Sequence, residues 1–350
     1  MCTLEQSSLP VEIISRYSAW QEVYSVDESF VGLRGTPEEL ERIGHEIRQT
    51  VRRLTGMPVR VAMGATKSLA KVAALGIKRT PAMDGVLHLG RYDNEQMTRI
   101  LSSIPVTDLW GVASRSGKRL AAINVHTARD LYELDAKWAR KKFNVNMERI
   151  VLELRGIPCI PLELRPPKAK DQLIFSRSFS KKITDERDME QVISLYAQRV
   201  SARLREQGSL AGHLSAWAMT GWADERTVGH SAQASVGLST PTDDPITLTK
   251  AARALLPKLF LVDGIRYARA GVVLTDLRQA DGVQPLALFR PEFEGRGVGQ
   301  ALDKINQKFA TTAVGVGLGG MKAPPGWEMK RELLSRRCLT NWDELLVAAA

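Results

Sequence analysis

Val23-Tyr24-Ser25-Val26-Asp27-Glu28-Ser29-Phe30-Val31-Gly32-Leu33 sets two adjacent carboxylates, Asp27 and Glu28, inside a run of valines and aromatics. Branched and aromatic residues predict a β-strand here, yet such a strand buries its apolar neighbours and excludes charge. Successive side chains on a strand point to opposite faces, so both carboxylates reach one site only where the strand begins or bends. Two readings fit the pair. Carboxylates hold divalent ions that orient an attacking oxygen and neutralise charge on leaving phosphates. A solvated turn entering an edge strand also accounts for them and needs no ligand.

The residues on either side read as a mixed helix and strand layer. Residues 11 to 20 are a short amphipathic helix or a strand feeding the Asp27 strand, and periodicity does not separate the two at this length. Thr36, Pro37 and Glu39 form an N-cap, a first-turn proline and a capping-box glutamate, which predict a helix ending near Gly56. A strand is expected over Pro58 to Ala65 and a helix from Thr66 to Leu75, an α/β arrangement. Lys67 and Lys71, four apart on one helix face, read as solvated.

Composition narrows the partner class. With 350 residues, 44% apolar and 25% charged, the chain has room for two or three domains. A net charge of +10 favours a polyanionic partner. Gly111 to Arg155 carry ten Lys/Arg against five Asp/Glu, whereas residues 1 to 40 carry seven acids against two arginines. The acidic part is therefore the part with the carboxylate pair. Cys2, Cys159 and Cys338 form no C-x-x-C pair and indicate a reducing compartment. No stretch reads as a signal peptide or membrane span, so a cytoplasmic protein with no membrane partner is expected.

From Leu101 the sequence predicts two short helices around a tight turn at Trp110-Gly111-Val112, then another helix. Arg165-Pro166-Pro167-Lys168-Ala169-Lys170 reads as a linker. Beyond it a β-α-β-β-α-β order is expected: a strand from Asp171, a helix over Met189 to Arg205, strands around His213 to Thr220 and Ala232 to Leu238, a helix over Ile246 to Phe260, and a strand from Tyr267. That order predicts a small sheet with both helices on one face. Val283 to Phe289, V-Q-P-L-A-L-F, is a short apolar peptide that reads as an anchor for a partner's groove. Gly315 to Gly320 satisfies G-x-G-x-x-G, but Pro324 and Pro325 forbid the helix a dinucleotide site requires.

Several of these stretches together resemble the Y-family translesion DNA polymerases, UmuC type. They are Tyr24 to Phe30, Ala65 to Ala73, Trp110-Gly111-Val112, Ser176-Arg177-Ser178-Phe179, Val283 to Phe289, and Trp327 to Leu345. The resemblance implies an α+β and α/β multidomain fold: a partial polymerase palm (1–100), a helix-hairpin-helix thumb (101–165), a little finger (171–278) and a C-terminal clamp-binding tail (279–350). It also implies error-prone translesion synthesis in SOS-type repair by two-metal phosphoryl transfer, with Asp27 and Glu28 as catalytic Mg²⁺ ligands. Lys78 falls where a lysine contacts the incoming deoxynucleoside triphosphate. Gly111, Arg115, Lys118, Arg177, Arg266 and Arg269 are implied to meet primer–template DNA, with the open sheet face of the little finger lying along it. Leu286, Leu288 and Phe289 are implied to meet a sliding clamp, and a UmuD-type accessory subunit and RecA are further implied partners. The family begins with a strand bearing a first metal-binding aspartate and then a fingers segment. Only Met1 to Arg16, without an aspartate, precede the motif here. Two expectations follow: an enzyme whose first segment is missing from this reading frame, or a non-catalytic DNA- and clamp-binding remnant.

Overall fold

The computed structural model of the chain describes residues 4–80, 84–164, 169–221, 229–259, 264–281, 296–309, 314–320 and 325–329. They belong to two compact units that divide at residue 166. The first opens with α1 (Leu4–Ser15), so the segment left open between helix and strand is helical as far as Ser15. It continues into an antiparallel hairpin of β1 (Gln21–Val23) and β2 (Ser29–Val31), with Glu22 opposite Phe30. The strand expected here is thus two short strands, and the carboxylates sit in the turn between them, a place that both readings of the pair allow. The cause is local polar bonding that competes with a ladder. Tyr24 N and Ser25 N both donate to Glu28 O at 3.0 Å, and Ser25 Oγ donates to Asp27 Oδ1 at 2.6 Å.

Helix α2 (Pro37–Thr55) starts at the Thr36–Glu39 capping box and stops at Gly56, as its sequence signals indicate. Its buried Ile47 and Val51 pack with Ile13 of α1. Strand β3 (Val61–Met63) pairs in parallel with β4 (Val86–His88), and α3 (Lys67–Arg79), capped by Thr66, lies between them in sequence. Short helices follow: α4 (Asn94–Ser102), α5 (Ser114–Ala121), α6 (Ala128–Glu133), α7 (Ala136–Lys142) and α8 (Val145–Leu154). A three-residue 3₁₀ turn, Val106–Asp108, stands where the first helix of the turn pair was expected. The division placed between residues 100 and 101 falls inside α4. Packing is continuous there because Leu101 and Ile104 share one core with Leu69, Val72 and Leu87.

One buried charge ties this unit together. Glu153 of α8 is fully buried, and its carboxylate accepts from Ser68 N (2.9 Å), Cys159 N (3.0 Å) and Ile160 N (3.0 Å). Thr66 Oγ1 donates to the Glu153 carbonyl at 2.9 Å. A buried carboxylate is tolerated only when so satisfied, and here it joins the first turn of α3, whose dipole favours a negative charge, to the returning segment after α8.

The second unit has the expected β-α-β-β-α-β order. Its elements are β5 (Leu173–Ile183), α9 (Glu186–Glu206), β6 (Ser209–Met219), β7 (Ser231–Thr242), α10 (Pro245–Arg253), α11 (Leu256–Leu259) and β8 (Tyr267–Gln279). The helix expected over Ile246 to Phe260 is broken into α10 and α11, because Pro257 has no N–H to continue it. The antiparallel sheet has the order β5-β8-β6-β7. Leu214, Ala216, Ala270, Val272 and Leu274 face inward to Met189, Ile193 and Leu248 of the helices. The opposite face carries Trp217, which lies across Gly271. A Cβ on that glycine would meet the Trp217 ring and Ser176 Cβ at 2.7 Å.

This unit extends past the expected limit at residue 278. Helix α12 (Val298–Phe309) is fastened by Asp303 to Arg205 (2.6 Å), and Trp327, 5% exposed, enters the sheet core beside Phe179 and Tyr196. Leu286, Leu288 and Phe289, with residues 330–350, lie outside the described residues. Among the described residues no helix is long and apolar enough to cross a membrane.

Two stability outcomes are expected. Gly271→Ala should destabilise the second unit by about 1–3 kcal/mol through overpacking, with altered Trp217 fluorescence, read by thermal unfolding. Glu153→Ala should cost the first unit about 3 kcal/mol, since the buried Ser68 N–H and the part-buried Cys159 and Ile160 N–H groups lose their acceptor. Glu153→Gln, which keeps one acceptor oxygen, should cost less in urea titration.

Candidate functional site

The hairpin turn displays both carboxylates at the surface, and each is held differently. Asp27 is fixed by Ser25 Oγ, whereas Glu28 Oε2 accepts from Lys71 Nζ at 2.6 Å. Lys71 and Lys67 are therefore not the solvated pair expected from their spacing. The Lys71 ammonium sits among three rings, 5.1 Å from Tyr24, 5.6 Å from Phe30 and 5.9 Å from Trp110, and such contacts favour a cation by about 0.5–2 kcal/mol. Tyr24 also meets Phe30 and Trp110 edge-on, and Trp110 Nε1 donates to Tyr24 Oη at 3.0 Å.

One turn earlier on α3, Lys67 pairs with Glu22 of β1 and also donates to Pro161 O at 2.8 Å. Glu22 Oε2 accepts from Glu163 N at 2.8 Å. The chain that Glu153 draws back to α3 thus reaches β1 as well. Sequence reasoning did not single out Lys67 or Glu153 as site-building residues, because the bonds Lys67–Glu22, Ser68–Glu153 and Glu163–Glu22 span 45, 85 and 141 residues.

Lys78 is exposed in the last turn of α3. Seven residues separate it from Lys71, so both share one helix face, about 10 Å apart along the axis. Gly111 follows Trp110 directly and has φ +89°; a Cβ there would meet Ile150 Cδ1 at 2.9 Å. Arg115 and Lys118 are exposed on α5, just after this turn. The first unit therefore presents the carboxylate turn, Lys71 and the Trp110-Gly111 turn as one connected group.

In the second unit the three candidate arginines do not share a face. Arg269 pairs in register with Ser178, lies on the open face, stacks over Trp217 at 5.6 Å and donates to Ser176 Oγ at 3.0 Å. Arg177 is opposite the fully buried Ala270, which puts it on the helix-bearing side, where its guanidinium lies 4.8 Å from the Phe175 ring. Arg266 is exposed immediately before β8.

Carboxylate oxygens at an exposed turn suit a hard divalent ion such as Mg²⁺, which is commonly held by one or two carboxylates with water and phosphate oxygens completing the shell. Asp27 and Glu28 fit that donor chemistry. Among the described residues, no group of three or more His, Cys, Asp or Glu is arranged to hold a metal ion.

Comparison with known proteins shows the family to which the chain belongs. Residues 4–75 match the impB/mucB/samB family, residues 170–286 the impB/mucB/samB family C-terminal domain, and residues 296–348 a domain of unknown function, DUF4113. Protein UmuC of Salmonella typhimurium strain LT2 is 38% identical over 333 residues, spanning 93% of this chain and 77% of that protein. Protein SamB of Salmonella typhimurium is 35% identical over 332 residues, with the same shares. Among solved structures, a Y-family DNA polymerase chimera of Dbh and Dpo4 superposes with a TM-score of 0.57 at 18% identity, over 79% of this chain and 76% of that one, a likeness of fold. The chain belongs to the impB/mucB/samB family, as a UmuC-type member of the Y-family DNA polymerases.

Proposed function

We propose that this chain acts on damaged primer–template DNA in SOS-type, error-prone translesion synthesis, with Asp27 and Glu28 at the centre of nucleotidyl transfer. The observation that carries the reading is the exposed Asp27-Glu28 turn, linked through Lys71 to the α3 face that also bears Lys78. The two carboxylates would hold Mg²⁺, which when bound neutralises phosphate charge and orients the attacking oxygen. Lys78 meets the triphosphate of an incoming deoxynucleotide. The Gly111 turn, with Arg115 and Lys118, approaches a DNA phosphate through backbone N–H groups and cations. In the second unit Arg269, on the open face, and Arg266 supply further backbone contacts, whereas Arg177, on the helix-bearing side, is not placed to join them along that face.

The reading places the chain in the cytoplasm. Its proposed partners are a sliding clamp, through Leu286, Leu288 and Phe289, a UmuD-type accessory subunit and RecA. A second reading, DNA and clamp binding without nucleotide addition, is favoured by one observation. Among the described residues no third carboxylate, histidine or cysteine joins Asp27 and Glu28.

Primer–template affinity of the purified chain should fall steeply with salt, with a log–log slope of about −0.9 per phosphate contacted. Sequence preference should be weak, since backbone contacts carry no base information. Primer extension with Mg²⁺ that is lost in Asp27→Ala and Glu28→Ala, and that shows a raised nucleotide KM in Lys78→Ala, establishes the catalytic reading. Salt-dependent binding without extension establishes the second. Salt-independent or absent DNA binding overturns both.

The clamp contact has its own test. A peptide of residues 280–292 should bind a bacterial sliding clamp, and replacing Leu288 and Phe289 by Ala should abolish binding, because buried apolar anchors dominate such interfaces. Unchanged affinity would remove the clamp from the list of partners.

A further inference from the structure

Two lysines of α3 meet two glutamates of the hairpin, and their surroundings differ. The Lys67–Glu22 pair is closed in: the side chains are 8% and 11% exposed, and both partners make further bonds to Pro161 O and Glu163 N. That pair is a fixed part of the frame. In the Lys71–Glu28 pair the side chains are 18% and 47% exposed, and the contact at 2.6 Å engages a carboxylate at the tip of a turn. Glu28 therefore has room to exchange its partner, and Lys71 has an alternative environment already built around it. Tyr24, Phe30 and Trp110 surround its ammonium and would keep favouring a cation there once the carboxylate has turned away.

We propose that Lys71 is the resident counter-ion of Glu28, a positioning residue that a divalent cation must displace to gain that carboxylate. The proposal rests on the reading of Asp27 and Glu28 as metal ligands. While the ammonium bonds Oε2, it occupies one oxygen and repels a second cation; removing its charge leaves both oxygens and a more negative site. Once displaced, the ammonium stays among the three rings, on the α3 face that also bears Lys78. Anionic phosphates arriving at Lys78 then stabilise Lys71 away from Glu28, so cation and triphosphate enter together. The protein thereby resists taking up the cation alone.

The test is Mn²⁺ binding to the full chain without nucleotide, followed by electron paramagnetic resonance, with thermal unfolding to verify each variant. Lys71→Met should bind Mn²⁺ about ten-fold more tightly than the unaltered protein. Lys71→Gln, a shorter neutral side chain, should do the same. Lys71→Arg, which keeps the charge, should remain close to the unaltered affinity, and adding Glu28→Gln to Lys71→Met should erase the gain. If Glu28→Gln weakens Mn²⁺ binding but the neutral Lys71 variants bind equally or less well than the unaltered protein, the counter-ion role is overturned while the ligand role of Glu28 stands. If neither Asp27→Asn nor Glu28→Gln alters Mn²⁺ binding, or no variant binds Mn²⁺, the ligand reading fails and this proposal with it.

Discussion

The first unit depends on the burial of one carboxylate. A charge removed from water is tolerated only if its hydrogen-bonding capacity is filled, and Glu153 fills it with three backbone N–H groups from two separate segments. Charge-assisted bonds of this kind are among the stronger ones available. They hold the first turn of α3 against the segment that returns from α8. That segment presents Pro161 O and Glu163 N to the Lys67–Glu22 pair, which fixes β1. The hairpin turn with Asp27 and Glu28 is therefore located by a chain of polar contacts that begins more than a hundred residues further along the sequence.

The second unit solves a different problem. Strand β5 is an edge strand, and an exposed edge invites pairing with another chain. Arg203 donates to Ile174 O at 2.8 Å, and Ser180 N donates to Trp327 O at 3.1 Å, so part of the edge is covered from within. Trp327 also fills a gap beside Phe179 and Tyr196, and burial raises the Tyr196 phenol well above its ordinary range, so it stays neutral. Gln198 of α9 clasps Val316 through both its amide atoms. The segment matched by the domain of unknown function is thus, in its described part, built into the same core as the sheet.

The aromatic group around Lys71 joins three elements that perform separate parts of the proposed chemistry. Tyr24 and Phe30 flank the carboxylate turn, Lys71 belongs to α3, and Trp110 adjoins the Gly111 turn. A displacement of any one of them is felt by the other two, because each ring contacts the other two and Trp110 is also hydrogen-bonded to Tyr24.

Local signals in the sequence determined much of the architecture: the Thr36–Glu39 capping box, the Gly56 stop, the alternation of strands and helices after the linker, and the Asp27-Glu28 motif itself. Each is set by hydrogen bonds or periodicities within a few residues, so each is legible in the sequence. Tertiary structure alone decided that Lys67 and Lys71 are engaged, that Arg177 and Arg269 lie on opposite sides of one sheet, and that Trp327 is core. Those outcomes depend on strand register and on partners tens of residues distant. A side chain's spacing on its own helix or strand says which neighbours it shares a face with, and nothing about what another segment brings to that face.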